Sequence, residues 1–378
     1  MNTNDFVRPD IIAMKPYTPI VPFEVLSARL GRRPSEIIKL DANENPYGPS
    51  PQVLTALASG QFFHIYPDPE SNELRQALSQ YVHVPAERLI AGAGADELID
   101  VVLRAILAPG DVVVDCPPSF GMYPFSTDVN AGQYVPVWRR DDFSLDAAAV
   151  ETAVHQHQAK LLILCSPNNP DGSVIDDDTL RRLLALPVLV LLDEAYADFA
   201  EVSGYQSHMG WTLEYDNLVV LRTFSKLAGL AGLRVGYGAF PEWLLPHLWK
   251  IKQPYNVNVA ASIAALAALA DPAWMQEKVR LLVAERDRMG EELSEISYLE
   301  PYPSMANFVL CKVHSERRGS HAAALGLSAY QLKLDLEQQG ILVRYFNKPG
   351  LDNCIRISAG RPEDTDRLLA VLRGWDHG

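Results

Sequence analysis

The stretch Val188-Leu-Val-Leu-Leu-Asp-Glu-Ala-Tyr196 decides the fold class. Its apolar residues have the length of a strand that is covered on both faces, and polar residues follow at once. Comparable apolar runs recur on either side of it, at residues 161–165 and 218–221, and helical patterns separate them. Because parallel strands are joined by helical crossovers, this alternation predicts a mainly parallel sheet covered by helices.

Further elements of the same kind extend this large domain in both directions. Strands are expected at 112–115 and 235–240, and helices at 96–107 and 176–186. We therefore expect a three-layer α/β/α large domain over residues 49–272.

A second, smaller domain is expected towards the C-terminus. The amphipathic stretch 272–296 predicts a helix that connects the two lobes. Strands are then expected at 308–311, 342–343 and 355–358, alternating with helices at 328–339 and 362–372. This pattern is typical of an α+β domain, which we place at 273–378. Residues 1–48 are expected to form an N-terminal arm and part of the small domain.

Length and charge exclude several classes of protein. With 378 residues the chain can bury a large core, so it is not a peptide hormone or an isolated binding module. Its 33 Lys and Arg against 47 Asp and Glu give 33 − 47 = −14, a net charge that repels nucleic acids and anionic membrane surfaces. The N-terminus shows no apolar signal segment, so we expect a cytoplasmic protein with neither nucleic-acid nor membrane partners.

The cysteines favour buried free thiols over disulfides or a metal site. They are Cys116, Cys165, Cys311 and Cys354. They lie far apart without a C-x-x-C pair, which fits a reducing compartment. The sequence also has no H-E-x-x-H and no G-x-S-x-G motif, so we predict no metal site and no serine-hydrolase chemistry.

Polar residues that could carry chemistry follow three neighbouring apolar runs. Asn168 and Asn169 follow the first run, Asp193 and Tyr196 the second, and Lys226 the third. Ligands of parallel sheets bind beyond the carboxyl ends of the strands, so these residues are expected to meet at one edge.

Asp193 and Lys226 are the most informative of these residues. At an apolar strand end an unpaired carboxylate has a raised pKa, so Asp193 needs a cationic partner, unless it is a helix N-cap or part of an internal ion pair. Desolvation would lower the pKa of Lys226 and make it a usable nucleophile, although an isolated lysine is more often a surface residue.

A phosphate site is predicted beside them. Gly92-Ala-Gly-Ala-Asp-Glu97 precedes a helix, whose N-terminal amides could hold an anion or simply be capped. It lacks the third glycine of a dinucleotide fingerprint, and no P-loop occurs. Thr223, Ser225 and Arg234 lie close to Lys226 and add donors suited to a phosphate monoester. Together these features suggest a lysine-tethered cofactor with a basic ring nitrogen and a phosphate, which pyridoxal 5'-phosphate fits.

Several segments in this order resemble the fold type I pyridoxal-phosphate aminotransferases, and among them the histidinol-phosphate aminotransferases. They are residues 41–49, 66–69, 92–96, 116–123, 168–170, 193–196, 223–234 and 353–356. The resemblance runs nearly end to end. It implies that the large domain binds pyridoxal phosphate and that the protein is a homodimer.

The resemblance also implies roles for individual residues. Lys226 would hold the cofactor and shuttle the substrate proton, with Asp193 on the pyridine nitrogen and Tyr196 on the phenolic oxygen as the other catalytic groups. Cofactor-binding residues would be Ala95, Asp96, Phe120, Asn169, Asp193, Tyr196, Thr223, Ser225, Lys226 and Arg234, with Tyr66 reaching the phosphate from a partner subunit. Substrate-binding residues would be Arg356 for an α-carboxylate, Arg344 and Tyr17 for a distal phosphate, and Asn45.

The implied reaction is amino transfer between histidinol phosphate and 2-oxoglutarate, giving imidazole-acetol phosphate and glutamate, in histidine biosynthesis. Two alternatives stay open at this stage: an aromatic amino-acid aminotransferase, and a lyase of the threonine-phosphate decarboxylase type. A cofactor-binding regulator without catalysis is disfavoured, because Lys226, Asp193 and Arg356 are all present. Residues 316–327 are interpreted as an added variable loop.

Overall fold

The computed structural model describes residues 6–17, 21–314 and 328–377. The expected variable loop at 316–327 lies outside the described residues. Within these ranges the strands form two sheets, one of seven strands and one of five. This confirms the predicted class: a three-layer α/β/α domain with a mainly parallel sheet, and a smaller α+β domain.

The large sheet is parallel except at β8. In spatial order its strands are β2 (Leu89–Gly92), β8 (Gly236–Ala239), β7 (Leu218–Thr223), β6 (Leu189–Asp193), β5 (Leu161–Cys165), β3 (Val112–Asp115) and β4 (Gln133–Pro136). The three strands from which the chemistry was predicted, β5, β6 and β7, are adjacent and parallel at its centre. The strand β8 pairs antiparallel with both of its neighbours.

Helices cover both faces of this sheet. They are α3 (Pro51–Ala58), α4 (Asn72–Val82), α5 (Ala95–Ile106), α6 (Met122–Val129), α7 (Ala147–His157), α8 (Asp177–Leu184), α9 (Ala197–Glu201), α10 (Leu245–Ile251) and α11 (Val259–Leu269). Alternate residues of one strand point into different cores. On β6, Val190 and Leu192 pack with α3, α4, α8 and α11, whereas Leu191 packs with α5, α6 and α10. The apolar runs are therefore buried on both faces, as their composition requires.

The small domain is built around a mixed sheet that begins near the N-terminus. In spatial order its strands are β1 (Ile38–Leu40), β11 (Ile341–Tyr345), β12 (Cys354–Ser358), β10 (Phe308–Val313) and β9 (Leu299–Pro301). Its helices are α13 (Ala329–Gln338) and α14 (Pro362–His377), and the N-terminal segment adds α1 (Pro9–Ala13) and α2 (Phe23–Leu30). Because β1 pairs with β11 in parallel, the chain enters the small domain before it builds the large one.

One helix, α12 (Pro272–Ser294), belongs to both domains. Its first half packs Met275 and Val279 into the core of the large domain. Its second half packs Met289 and Leu293 into the core of the small domain. The boundary at 272/273 stays a prediction, while the core changes near the middle of this helix.

No single helix in the described ranges is long and apolar enough to cross a membrane. The helices α11 and α12 pass that test only as a pair, and they are bent by 83° relative to each other. All four cysteines are buried and free, which confirms the expectation drawn from their spacing.

Candidate functional site

A cavity of about 300 Å³ lies at the carboxyl ends of β5, β6 and β7, and we call it the inner cavity. The structure brings every predicted cofactor-binding residue except Tyr66 to its wall. These residues are Ala95, Asp96, Phe120, Asn169, Asp193, Tyr196, Thr223, Ser225, Lys226 and Arg234. The strand ends thus bring together groups that are widely separated in the sequence, as expected for a parallel sheet.

Lys226 reaches into the inner cavity just beyond β7. Its Nζ donates to the carbonyl oxygen of Ala42 at 3.3 Å and lies 5.9 Å from the centre of the Tyr196 ring. Burial of the amino group, together with the nearby Arg356 cation, lowers the pKa of Lys226 to about 8. About a tenth of the amine is therefore neutral and nucleophilic at pH 7, far more than for a lysine in solvent.

Asp193 ends β6 on the floor of the inner cavity. Tyr123 donates its hydroxyl to Asp193 Oδ2 at 2.8 Å, and the Ala195 amide donates to Oδ1 at 3.0 Å. Burial raises the pKa of Asp193 to about 6, although both hydrogen bonds act against that rise. No lysine or arginine of the described chain pairs with this carboxylate. It can accept a cationic ligand group from the cavity.

A backbone cradle for an anion lies at the start of α5. Gly94 has a φ of 89°, and a Cβ there would lie 2.5 Å from Arg234 Nη2. A Cβ at Gly236 would lie 2.6 Å from the Ala95 nitrogen. Only glycine at position 236 lets the two backbones approach so closely, and the positive φ at position 94 also favours glycine. The guanidinium of Arg234 pairs with Asp96 at 3.0 Å, next to the free amides of the helix N-terminus.

Two hydroxyl groups complete this side of the inner cavity. Thr223 Oγ1 donates to Ser225 Oγ at 3.0 Å, and the Ser225 amide donates to Thr223 Oγ1 at 3.1 Å. Both side chains are buried, so they form a preorganised pair of donors beside the cradle.

Tyr196 lies between two asparagine side chains on the opposite wall. Its hydroxyl oxygen accepts from Asn43 Nδ2 at 3.0 Å and from Asn169 Nδ2 at 3.5 Å. Burial raises the pKa of Tyr196 to about 12, so the hydroxyl keeps its proton and can donate it to an oxygen in the cavity. The edge of its ring packs against Phe308 at a centroid distance of 5.1 Å.

Arg356 carries its positive charge into the site from β12. Its Nη1 donates to Asn169 Oδ1, and its Nη2 donates to the carbonyl oxygen of Asp41 at 2.9 Å. Its Nε is buried without a hydrogen-bond partner. Burial lowers the pKa of Arg356 to about 10, which still leaves it protonated at neutral pH. This guanidinium, which forms no ion pair within the described residues, is suited to a carboxylate ligand.

A larger cavity of about 1140 Å³, which we call the outer cleft, opens directly from the inner cavity. The two share Phe120, Asn169, Tyr196 and Lys226 as wall residues. Arg344 and Tyr17, the predicted contacts of a distal phosphate, both line the outer cleft together with Arg356. The structure therefore brings these three substrate-binding candidates to one space.

Tyr66 and Asn45 are the predicted residues that lie outside both cavities. Tyr66 is 79% exposed and stacks on Tyr255 at a centroid distance of 4.7 Å. Asn45 is buried, and its amide group bonds the Leu227 carbonyl at 2.9 Å and the Tyr47 amide at 3.0 Å. The Asn45 side chain thus stabilises the turn behind the lysine, and its role towards a substrate stays a prediction.

Three residues of the site were missed by the sequence analysis. Asn43 and Lys348 line the outer cleft, and Tyr123 holds Asp193 from below. Asn43 and Tyr123 lie inside segments that carried the family resemblance, so the resemblance pointed to them without giving a role. Nothing in the sequence pointed to Lys348, because it lies in a loop after β11 and belongs to no recognisable motif.

The residues present fit pyridoxal phosphate. The buried Asp193 suits a protonated ring nitrogen, Lys226 suits a carbonyl carbon, and the glycine cradle beside Arg234 suits a phosphate ester. The fit depends on their arrangement, since a single buried aspartate, lysine or glycine turn is common in folds that bind no cofactor.

Comparison with known proteins gives a consistent result. A family model described as "Aminotransferase class I and II" matches residues 35–372. A chloroplastic histidinol-phosphate aminotransferase of Nicotiana plumbaginifolia is 51% identical over 368 residues, which cover 97% of this chain and 86% of that protein. A histidinol-phosphate aminotransferase of Roseiflexus castenholzii is 52% identical over 372 residues, covering 97% of each chain.

Among solved structures, the chain is similar to a histidinol-phosphate aminotransferase from Sinorhizobium meliloti in complex with pyridoxal-5'-phosphate. The TM-score is 0.84 at 30% sequence identity, and the match covers 97% of this chain and 96% of the other. The likeness therefore extends over both domains.

Proposed function

This chain belongs to the class I and II aminotransferase family, and we propose that it transfers an amino group reversibly between histidinol phosphate and 2-oxoglutarate. In the biosynthetic direction glutamate donates its amino group to imidazole-acetol phosphate, which yields 2-oxoglutarate and histidinol phosphate and places the enzyme in histidine biosynthesis. The observation that carries this proposal is the meeting of Lys226, Asp193 and Arg356 around two connected cavities.

The cofactor of this reaction is pyridoxal phosphate, held by the inner cavity. When bound, it supplies a carbonyl that takes up the amino group and a ring that withdraws electrons from the substrate Cα. Asp193 would hold the ring nitrogen, Tyr196 and Asn169 would donate hydrogen bonds to the phenolic oxygen, and Phe120 would cover a face of the ring. The phosphate is held by wall residues of the inner cavity, namely the amides of Ala95 and Asp96 with the side chains of Thr223, Ser225 and Arg234.

Lys226 performs the proton transfers. With its pKa lowered to about 8, its amine is partly neutral at neutral pH and accepts the Cα proton of the substrate. With the cofactor bound, the same group would be placed to return that proton to the neighbouring carbon of the cofactor. Its place on the wall common to both cavities gives it access to both atoms.

The outer cleft selects the substrates. Arg356 binds the α-carboxylate of glutamate through a bidentate pair, which a lysine could not imitate. Arg344 and Tyr17 bind the distal phosphate of histidinol phosphate, and Lys348 lies at the same end, where its Nζ is 3.0 Å from the position of a Cβ at Gly121. Within the described residues neither Arg344 nor Lys348 is paired with a carboxylate, which leaves their charges for an anion.

We further propose a homodimer in which Tyr66 reaches the phosphate of the partner's cofactor. Phe62, Phe63, Ile65 and Tyr66 form an exposed apolar stretch, with exposed fractions of 61%, 55%, 52% and 79%. Apolar surface of this kind is unusual for a monomer and is covered when a second copy packs on it. Light scattering of the purified protein tests this assignment, and a monomer at micromolar concentration contradicts it.

The two domains divide the binding of cofactor and substrate in this proposal. The large domain over residues 49–272 holds the cofactor, and the small domain over 273–378, with part of residues 1–48, holds the substrate. Limited proteolysis with and without each ligand tests this division. We also propose a cytoplasmic location, which the four buried free cysteines support because they fit a reducing compartment. Cell fractionation tests the location.

Single-turnover mixing separates this function from its alternatives. The cofactor-loaded enzyme is mixed with histidinol phosphate, or separately with phenylalanine, and the loss of its visible absorption is followed. Fast loss with histidinol phosphate and return of the absorption with 2-oxoglutarate are expected. Preference for phenylalanine would identify an aromatic aminotransferase. No reaction with either substrate, together with carbon dioxide release from threonine phosphate, would identify a lyase.

A further inference from the structure

Tyr123 lies directly beneath the carboxylate that faces the inner cavity. It is fully buried near the start of α6, and its hydroxyl donates to Asp193 Oδ2 at 2.8 Å. The Ala195 amide donates to the other oxygen at 3.0 Å. One donor on each oxygen fixes the plane of the carboxylate. Asp193 is then presented to the cavity in a single orientation.

The same turn of the chain carries the aromatic ring predicted to cover the cofactor. Phe120 lies three residues before Tyr123, and the two rings meet edge to face with centroids 5.6 Å apart at 83°. Phe120 lines both cavities, whereas Tyr123 lines neither. Tyr123 therefore contacts Asp193 on the floor of the inner cavity and Phe120 on its wall, although Tyr123 does not line the cavity itself.

The hydroxyl of Tyr123 also has an electrostatic effect on its partner. Burial raises the pKa of Asp193, and the hydrogen bond from Tyr123 is the largest influence in the opposite direction. Burial raises the pKa of Tyr123 itself well above its usual value, so the phenol remains a neutral donor over the working range. Such a donor stabilises the ionised carboxylate, which is the form that attracts a protonated ring nitrogen.

We propose that Tyr123 is a positioning residue. Its hydroxyl orients the Asp193 carboxylate towards the ring nitrogen of the cofactor and stabilises the ionised form of that carboxylate, while the Tyr123 ring supports Phe120. This inference rests on the proposed function for the identity of the cofactor. It extends the site by a residue that touches neither cofactor nor substrate.

The test measures cofactor affinity and not catalysis. Tyr123→Phe removes only the hydroxyl and keeps the ring against Phe120. The matched control is Tyr298→Phe, since Tyr298 is another fully buried tyrosine, whose hydroxyl donates to the Leu372 carbonyl at 2.9 Å in the small domain. Dissociation constants of the apoenzymes are measured by tryptophan fluorescence for two ligands: pyridoxal phosphate, and an analogue that has carbon in place of the ring nitrogen.

We expect Tyr123→Phe to weaken binding of pyridoxal phosphate about tenfold, the usual size for a lost hydrogen bond to a charged group. Binding of the analogue should change less than about twofold, because the analogue has no ring nitrogen for Asp193 to hold. Tyr298→Phe should leave both affinities unchanged. In an Asp193→Asn background the additional loss caused by Tyr123→Phe should disappear.

Three results overturn the inference: unchanged affinity for pyridoxal phosphate, equal losses for both ligands, or an undiminished loss in the Asp193→Asn background. The second of these would give Tyr123 only a structural role. Failure of the unmodified apoenzyme to bind pyridoxal phosphate would instead reject the proposed function. The two failures are therefore distinguishable, because one is read from the variant and the other from the unmodified protein.

Discussion

Two faces of the central sheet hold charged residues that are close in the sequence but differ in their surroundings. On the cavity side, Asp193 and Lys226 are desolvated and have no ion pair within the described chain. Their pKa values move towards neutrality, because burial raises that of Asp193 to about 6 and lowers that of Lys226 to about 8. Each group is left short of a partner of opposite charge.

On the other side, Glu194 and Arg222 each form an ion pair inside the fold. The Glu194 carboxylate accepts hydrogen bonds from the His208 amide at 2.8 Å and from the Tyr205 hydroxyl at 3.0 Å, and it pairs with the His208 ring at 2.9 Å. Burial alone would raise the pKa of Glu194, but its partners hold it below the usual value. The guanidinium of Arg222 likewise forms a buried ion pair, with the carboxylate of Asp198.

This difference separates structural charges from functional ones. Glu194 directly follows Asp193, and Arg222 lies on the strand that leads to Lys226. Removing one partner of a buried ion pair destabilises the fold, whereas a buried charge without a partner costs stability until a ligand arrives. Asp193 and Lys226 are thus left for a ligand to pair, whereas Glu194 and Arg222 are paired within the fold.

Replacement of Asp193 is expected to have the largest effect on activity. It should not lower the stability of the apoenzyme. Asp193→Asn should lower kcat on the order of 10³-fold, since it removes the charge that faces the ring nitrogen. The apoenzyme should unfold at the same temperature as the unmodified apoenzyme or at a higher one, because an unpaired buried charge is lost. Steady-state kinetics and calorimetry measure the two quantities. An activity loss below tenfold would contradict the assignment.

The pH dependence of cofactor capture is the next largest effect. Only neutral Lys226 attacks a carbonyl, so the capture rate of the apoenzyme should rise about tenfold per pH unit up to about pH 8 and level off above it. Stopped-flow absorption follows the capture, with Lys226→Arg as a control that should show no such phase. A rate that continues to rise towards pH 10 would mean an ordinary, solvated lysine.

Replacement of Glu194 should give the reverse of the Asp193 result. Glu194→Gln breaks a buried charged network and should lower the free energy of unfolding by about 2 kcal/mol. The folded variant should keep its kcat within about threefold, since the carboxylate contacts neither cavity. Denaturant titration and kinetics at low temperature test both parts. Equal stability with lost activity would reverse the roles of the two neighbours.

The smallest effect is expected at Asn43, which joins the two domains. Its side chain donates to Tyr196 at 3.0 Å and accepts from the Ser358 hydroxyl at 2.9 Å. Asn43→Ala should lower kcat/KM for glutamate about tenfold, because Tyr196 loses its closer donor. Asn45→Ala is the matched control, and it should lower the melting temperature more than kcat/KM. Equal kinetic losses in both variants would contradict this division.

The sequence predicted most of the fold because the apolar runs leave little freedom. The predicted strands at 112–115 and 161–165 match β3 and β5 residue for residue, and the helix predicted at 272–296 ends within two residues of α12. The short strands β1, β2, β4 and β9 were missed. Each lies at the edge of its sheet and is only three or four residues long, so its apolar run is too short to stand out.

Site residues that directly follow a strand could be predicted from the sequence. Site residues whose position depends on a turn or on packing between distant elements could not. Asp193 and Lys226 were found because the carboxyl ends of parallel strands meet. Asn43 was missed, since only the turn geometry, with a φ of 55° at Asn43, brings its side chain to the outer cleft. Tyr123 was missed because a hydrogen bond between distant elements has no sequence spacing.

The most direct test of the account is the pH dependence of apoenzyme stability in Asp193→Asn, relative to the unmodified protein. The raised pKa of Asp193 stabilises the folded state fully below pH 4, and that contribution is lost as pH rises through about 6. The variant should therefore gain relative stability between pH 4 and pH 7, by on the order of 3 kcal/mol for a shift of about two pKa units. A variant that loses relative stability over that range, as Glu194→Gln should, would show that Asp193 is a paired structural charge.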